Sequence, residues 1–375
     1  MRIGIDARFY GPSTKGLGRY SEKLIQYLQE LDQKNEYIIF LRKENWSDFS
    51  PKNRNFKKVL ADFRWYSLAE QILMPLCLKK QRLDLMHFPH FNVPLFYRGK
   101  FMVTIHDLIL THFPTERAST LGPLLYRLKH QAYKKVIRHA VEKSVKIITV
   151  SQFSKKQILE DFPVSPDKIA VTYEATSDFK HTPAEIDERQ FLAKHRLKYP
   201  FLLYVGNAYP HKNLEKLVSA IKSLTTDENF DLSLVLVGKF DYFYRRLQNL
   251  VNQLKLNERV FFLGYVDDEE LKFLYQKAKA YIFPSLAEGF GLPPLEAMAQ
   301  GLPVAASRHS CLPEVLGEAA YYFDPTDEQS LKEAIKKLVG DETLRESLRQ
   351  KGFAQVKKYA WPKLASKTLA VYQSV

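Results

Sequence analysis

Two rhythms of apolar positions run through the chain. Short runs of apolar and β-branched residues alternate with stretches in which apolar side chains recur every three or four positions, as parallel strands covered by helices require. In the first half the runs predict strands at Arg2–Asp6, Tyr37–Leu41, Lys57–Leu60, Leu85–Phe88, Phe101–Ile105, Lys146–Val150 and Ile169–Thr172. In the second half they predict strands at Phe201–Val205, Leu232–Val237, Val260–Leu263, Ala280–Phe283, Val304–Ala306 and Tyr321–Phe323. Leu17, Leu24, Ile25, Leu28 and Leu31 set the inner face of a helix after the first strand. Both halves read as doubly wound α/β domains, residues 1–180 and 181–355. The polar stretch Thr176–Lys198, opened by His181-Thr182-Pro183, has no strand signal and predicts the crossing between them.

A chain of 375 residues exceeds what one core usually covers. With 45% hydrophobic and 26% charged residues it has apolar material for two cores, which excludes wholesale disorder. The run Ile72–Leu78 is broken by Pro75 and is far short of the roughly 20 residues that span a bilayer. Met1-Arg2 leads straight into the strand Ile3-Gly4-Ile5 without the pattern of a secretory signal, which predicts a cytoplasmic protein. Cys77 and Cys311 make no metal or redox spacing and are expected to be reduced.

Of the net charge of +14, residues 1–180 carry +12. The densest part is Tyr126 to His139, where apolar residues at 125, 128, 132, 136 and 137 keep a helical spacing beneath the cations Arg127 to Arg138. A basic amphipathic helix of this kind suits an anionic membrane surface, and it equally suits a solvated helix face. Nucleic acid is not the expected partner, because no zinc finger, RNA-binding strand motif or clear helix-turn-helix accompanies the charge.

The most informative chemistry lies at Glu288-Gly289-Phe290-Gly291-Leu292-Pro293-Pro294-Leu295-Glu296, directly after a predicted strand. Glycines at a strand-to-helix turn let backbone amides crowd an anion, and a helix starting near Pro293 adds the positive end of its dipole. A phosphate fits that cradle. The flanking carboxylates suit hydroxyl groups, so a nucleotide sugar satisfies the whole pattern. Acidic residues near a helix start also occur merely as caps, so the other strand ends matter. Gly11 to Tyr20 is a Gly-rich loop that lacks both the dinucleotide fingerprint and the P-loop ending. His106-Asp107 ends the fifth strand and could supply a sugar contact or an acid–base group. Gly206-Asn207-Ala208-Tyr209-Pro210-His211-Lys212-Asn213 offers a lysine near a helix start that could neutralise a diphosphate.

Together these residues resemble the retaining glycosyltransferases of family 4, also called glycosyl transferases group 1. The likeness spans essentially the whole chain. It is most specific over Pro284–Val304, with two glutamates separated by seven residues and then Gly301-Leu302-Pro303-Val304. Gly16-Leu17-Gly18-Arg19-Tyr20, His106-Asp107, Lys212-Asn213, Phe262-Leu263-Gly264-Tyr265-Val266 and Leu312-Pro313-Glu314-Val315 support it.

The resemblance implies a GT-B fold, two facing Rossmann-like domains with a cleft between them, and a last helix, 356–375, packing back on the first. It implies that Glu296 binds the ribose hydroxyls and that Glu288 lies by the donor sugar. Amides of Gly289, Phe290, Gly291 and Leu292 would cradle sugar and diphosphate, and Lys212 would stabilise the leaving diphosphate. Gly16 and Gly18 would approach the phosphates, His106 would contact the donor sugar with Asp107 as a helper, and Tyr265 and Val266 would face the base. One position departs from the family pattern: where many members carry an Arg that partners the lysine, Asn207 follows Gly206. His211 and Lys239 are both open as replacements.

The implied reaction is retaining and metal-independent, with no cofactor beyond the nucleotide-sugar substrate. The chain has no Asp-x-Asp triplet and no evident nucleophile, so the leaving diphosphate itself would help take the acceptor proton. His-Asp and Lys-Asn look most like members that use GDP-mannose, and a UDP-sugar such as UDP-glucose or UDP-GlcNAc stays open. Epimerisation or phosphorolysis on the same fold lacks a visible base or second anion pocket. The expected acceptor is a glycan or lipid-linked glycan, with the enzyme peripheral on the inner face of the cell membrane.

Overall fold

The computed structural model describes residues 1–11, 15–113, 122–176, 186–227 and 230–375 of the protein. The chain divides into two compact units. One is made of Met1–His112, Leu121–Ala175 and Tyr359–Val375, and the other contains Thr176–Lys358.

The first unit is built on β1 (Arg2–Asp6), β2 (Glu36–Leu41), β3 (Phe56–Leu60), β4 (Leu85–Phe88), β5 (Phe101–Ile105), β6 (Lys146–Thr149) and β7 (Ile169–Val171). They form one parallel sheet in the order β3-β2-β1-β4-β5-β6-β7. Its helices are α1 (Lys15–Leu31), α2 (Leu68–Lys80), α3 (Ile109–His112), α4 (Pro123–Lys143) and α5 (Gln152–Asp161). Alternate side chains of each strand feed two apolar layers, as the pleat demands. Ile3, Ile5, Tyr37 and Ile39 pack with Leu24, Ile25 and Leu28 of α1 and with Trp361, Leu364 and Tyr372 from the end of the chain. Ile38, Phe40, Met86 and Val103 face the other way, onto Met74 and Leu78 of α2, Ile137 and Val141 of α4 and Ile158 of α5.

In the second unit β8 (Phe201–Val205), β9 (Ser233–Val237), β10 (Val260–Gly264), β11 (Ala280–Phe283), β12 (Val304–Ser307) and β13 (Ala320–Phe323) form a parallel sheet ordered β10-β9-β8-β11-β12-β13. The helices are α6 (Glu188–His195), α7 (Leu214–Lys222), α8 (Tyr242–Gln253), α9 (Asp268–Lys277), α10 (Leu292–Ala299), α11 (Leu312–Leu316), α12 (Glu328–Gly340) and α13 (Glu342–Val356). The last helix, α14 (Trp361–Gln373), belongs to the first unit. Aspartates 187, 241, 267, 327 and 341 cap helix starts by accepting from the next amides. Every strand lies within a residue of its predicted ends. In both sheets the order reverses beside the first strand, between β1 and β4 and between β8 and β11, where ligands of open α/β sheets bind beyond the carboxyl ends.

Two helix faces differ from expectation. Leu31 is exposed, so the apolar face of α1 stops at Leu28. On α4 the first part of the apolar stripe lies away from the core: Leu125 and Leu128 are 55% and 60% exposed, and Ala132 is exposed too. The inward face runs instead through Tyr126, His130 and Tyr133, which stack in series, to Ile137, Ala140 and Val141. These positions keep the helical period, but amphipathic aromatics and a histidine carry its first turns where aliphatics had been expected. Among the described residues, no helix is long and apolar enough to cross a membrane.

Candidate active site

In the second unit, predicted residues gather at the carboxyl ends of β9, β8 and β11, which are neighbours in the sheet. After β8 the chain turns through Gly206 and Asn207 and the short helical turn Pro210–Lys212 into α7. Buried tyrosines fix the turn. Tyr204 Oη donates to Asn207 O at 2.8 Å, Tyr244 Oη to Gly206 O at 2.8 Å and Tyr281 Oη to Val205 O at 3.0 Å. Gly238, just past β9, permits this approach, because a Cβ there would stand 2.0 Å from Gly206 O.

Asn213, at φ 59°, donates through Nδ2 to Pro325 O at 2.8 Å and Pro284 O at 3.3 Å. The Leu286 amide donates to His211 O at 2.8 Å. These bonds tie the turn after β8 to the segment after β11 and bring Lys212 Nζ to 2.5 Å from Glu288 Oε1, with 13% and 9% of the side chains exposed. The Glu288 amide donates to Ser310 Oγ at 3.2 Å. Gly291, at φ 91°, opens α10 in the left-handed conformation that favours glycine, and a Cβ there would meet Leu312 Cδ2 at 2.8 Å. Leu292 is the first residue of α10, and Glu296 is buried a turn further on. The amino end of α10, with the run Gly289-Phe290-Gly291 leading into it, and the ammonium of Lys212 thus both follow strands at the reversal point, and both favour an anion.

The two candidates for the second cation separate here. Burial, then the charge of Lys212, press the His211 ring down to about 4 against the pull of Glu288, so it is neutral near pH 7 and supplies no cation. Lys239 is exposed two residues beyond β9 and keeps its candidacy. Tyr265, 87% exposed, and the buried Val266 follow β10, the edge strand, with β9 between it and β8.

The remaining predicted residues lie in the first unit. His106 follows β5, its Nδ1 2.8 Å from Glu174 Oε1 and its Nε2 3.0 Å from Pro89 O. Burial works against charging this ring, but the hydrogen bond and charge of Glu174, then the Pro89 carbonyl and Asp107, outweigh it and raise its pKa. Tyr20 packs edge-on to His106 at 4.8 Å between ring centroids. The segment holding Gly16 and Gly18 and the end of β5 therefore meet, although α1 begins at Lys15, so both glycines are in its first turn and not in a preceding loop. Asp107 Oδ1 accepts from the Ile109 amide at 2.9 Å and opens α3. Behind His106, His87 is fully buried, with Nδ1 2.7 Å from Tyr372 Oη of α14 and Nε2 2.8 Å from Thr104 Oγ1. Glu174 was absent from the sequence-derived set. Its only signal was a lone carboxylate just past the last strand of the sheet, beside the presumed linker.

Among the described residues, no group of three or more His, Cys, Asp or Glu side chains is placed to hold a metal ion.

Comparison with known proteins adds the family, two relatives and a solved structure. The family described as Glycosyl transferases group 1 matches residues 185–355, and that described as Glycosyltransferase Family 4 matches residues 14–176. The chain is 30% identical over 378 residues to O-antigen chain mannosyltransferase B of Escherichia coli, covering 96% of each chain. It is 29% identical over 338 residues to O-antigen chain mannosyltransferase RfbU of Salmonella typhimurium, covering 88% of each. Among solved structures, sucrose-phosphate synthase from Thermosynechococcus elongatus superposes with a TM-score of 0.77 at 20% identity, over 100% of this chain and 98% of that one.

Proposed function

The chain belongs to glycosyltransferase family 4, the glycosyl transferases group 1, with the GT-B fold, and from that premise we propose that it transfers a mannosyl unit from GDP-mannose to a growing glycan with retention of configuration. The observation that carries this reading is the Lys212–Glu288 pair, held at 2.5 Å beside the amino end of α10. The mannosyl donor is favoured by the two mannosyltransferase relatives that the chain matches along most of its length.

An ammonium has three donors. Lys212 can therefore keep one on Glu288 and turn the others to a diphosphate, which the amides of Gly289 to Leu292 and the dipole of α10 also favour. Glu288 and Glu296 accept from hydroxyls of the sugar and the ribose. In the reaction the bond from C1 to the diphosphate oxygen breaks and the acceptor oxygen joins C1 on the same face. The acceptor proton passes to the departing diphosphate. Positioning and relief of charge on the leaving group supply the catalysis, and Lys212 with the amides does this without a metal ion. His106 serves as a contact to the donor sugar.

A thermal-shift panel with GDP, GDP-mannose, UDP, UDP-glucose and UDP-GlcNAc tests the donor, since a ligand of the folded state raises the melting temperature by mass action. Stabilisation by GDP and GDP-mannose alone, followed by EDTA-resistant transfer, is the expected result. A shift with uridine nucleotides alone would replace the donor, and no shift with any would remove the site assignment.

A further inference from the structure

We propose that Glu174 is a positioning residue for the transfer reaction, holding His106 as a doubly protonated ring that donates hydrogen bonds and presents positive charge, and that His106 therefore never acts as the base. The proposal rests on the reading of His106 as a donor-sugar contact. It starts from the two partners of the ring. A neutral imidazole has one N–H and one bare nitrogen. Pro89 O, a carbonyl, can only accept, so the 3.0 Å contact places a proton on Nε2. The Glu174 carboxylate also accepts, so the 2.8 Å contact places the second proton on Nδ1. Both nitrogens are then donors, and the ring is an imidazolium.

The surroundings are consistent with a single charged ring. Three strand ends converge on it: Pro89 follows β4, His106 follows β5, and Glu174 follows β7, which lies beyond β6 in the sheet. The His106 carbonyl accepts from Ser154 Oγ of α5 at 3.3 Å, and the Ile105 carbonyl from Thr149 Oγ1 of β6 at 2.8 Å, fixing the backbone that carries the ring. The other titratable groups facing it are Asp107 on its own strand end, Tyr20 on α1, and His87 and His90 on and after β4. His87 and His90 are each pressed down to about 3, by burial first and by the charge of His106 second. Of the three histidines, the one opposite a carboxylate keeps the proton.

The consequence for the reaction is specific. A donor-sugar hydroxyl can replace Pro89 O as the acceptor of Nε2–H with no change of protonation, so His106 orients the sugar and leaves the acceptor proton to the diphosphate.

The test uses the full chain labelled with ¹⁵N, with the His106 ring signals assigned through His106→Gln. In the wild type both ring nitrogens should carry protons through neutral pH. In Glu174→Gln burial is no longer opposed by the carboxylate, so the ring should titrate below the ordinary value, which is about 6.5. Because only the charged ring presents positive charge to the sugar, the kcat of that variant should drop about tenfold for each unit that pH rises above the pKa of its ring. It should recover at acid pH, with donor KM within about twofold of wild type by the same reasoning, since the uniform binding contacts remain. Glu174→Asp, which keeps the carboxylate, should keep the imidazolium and the flat profile. A bare ring nitrogen in the wild type near pH 7, a Glu174→Gln ring that stays doubly protonated, or a loss of kcat equal at every pH would each overturn the proposal. The ring titration is read without substrate, so it decides the matter even if no donor is turned over, an outcome that would instead sink the functional reading.

Discussion

A buried ion pair is weak evidence of stability, because desolvation of both ions can outweigh their attraction, yet breaking one leaves a charge stranded. Lys212 and Glu288 are in that position. Lys212→Ala and Glu288→Ala should each destabilise by roughly 3–5 kcal/mol in urea titrations. The double variant should lose less than the sum, with a coupling of about 1–3 kcal/mol; strict additivity would mean the pair is absent in solution. For function, Glu288→Ala should mainly slow transfer, and Glu296→Ala should mainly weaken nucleotide binding, which kcat and a nucleotide Kd separate. Two glycines allow a sharper contrast. Gly238→Ala would drive its methyl into the Gly206 carbonyl and should cost about 3 kcal/mol or more. At Gly16 an added methyl meets nothing within 4 Å, and in a helix it should stabilise by about 0.5–1 kcal/mol. If the Gly16 backbone approaches the phosphates, that more stable variant will be slower, a combination that a purely structural glycine would not produce.

At the scale of elements, strands were legible because parallel strands buried on both faces read as unbroken apolar runs, and β4, β5 and β11 are buried throughout. The Glu288–Glu296 turn was legible for a related reason: glycines, a proline pair and paired carboxylates are local signals. What escaped were features that depend on partners distant in sequence. Glu174 gains its meaning from His106, and His87 from Tyr372, 285 positions away. The inward face of α4 was not legible because Tyr126, His130 and Tyr133, though polar at one end, take the inward positions. The His87–Tyr372 contact links α14 to β4, and it carries a prediction. Tyr372→Phe leaves a buried ring nitrogen without its partner and should cost about 1–3 kcal/mol near pH 7. Because the folded pKa of His87 is depressed to about 3, its contribution is present above the ordinary value of about 6.5 and is lost as pH falls through the folded one. The urea midpoint should therefore decline across that acid range, and His87→Gln should decline less steeply. Equal slopes would show that other groups govern acid unfolding.

On the scale of the whole molecule the charge is lopsided, +12 of +14 in residues 1–180, and the structure changes which part of α4 could use it. Arg127, Lys129, Lys134, Lys135 and Arg138 are all exposed, and beside them Leu125 and Leu128 are exposed as well. Cations alone would give binding to anionic vesicles that salt abolishes, since exposed charges are screened within about 8–10 Å at physiological ionic strength. Cations with two accessible leucines should give binding that salt weakens and leaves a residue, since burying a leucine is worth about 1.5–3 kcal/mol irrespective of salt. Sedimentation with vesicles containing phosphatidylglycerol measures both contributions. Lys134→Glu with Lys135→Glu should remove most of the salt-sensitive part, and Leu125→Ser with Leu128→Ser should remove the residue that survives about 0.5 M salt, where the screening length is short. Partitioning unchanged by the charge reversal would make the basic face of α4 an ordinary solvated surface, and the acceptor would then have to reach the enzyme without help from this helix.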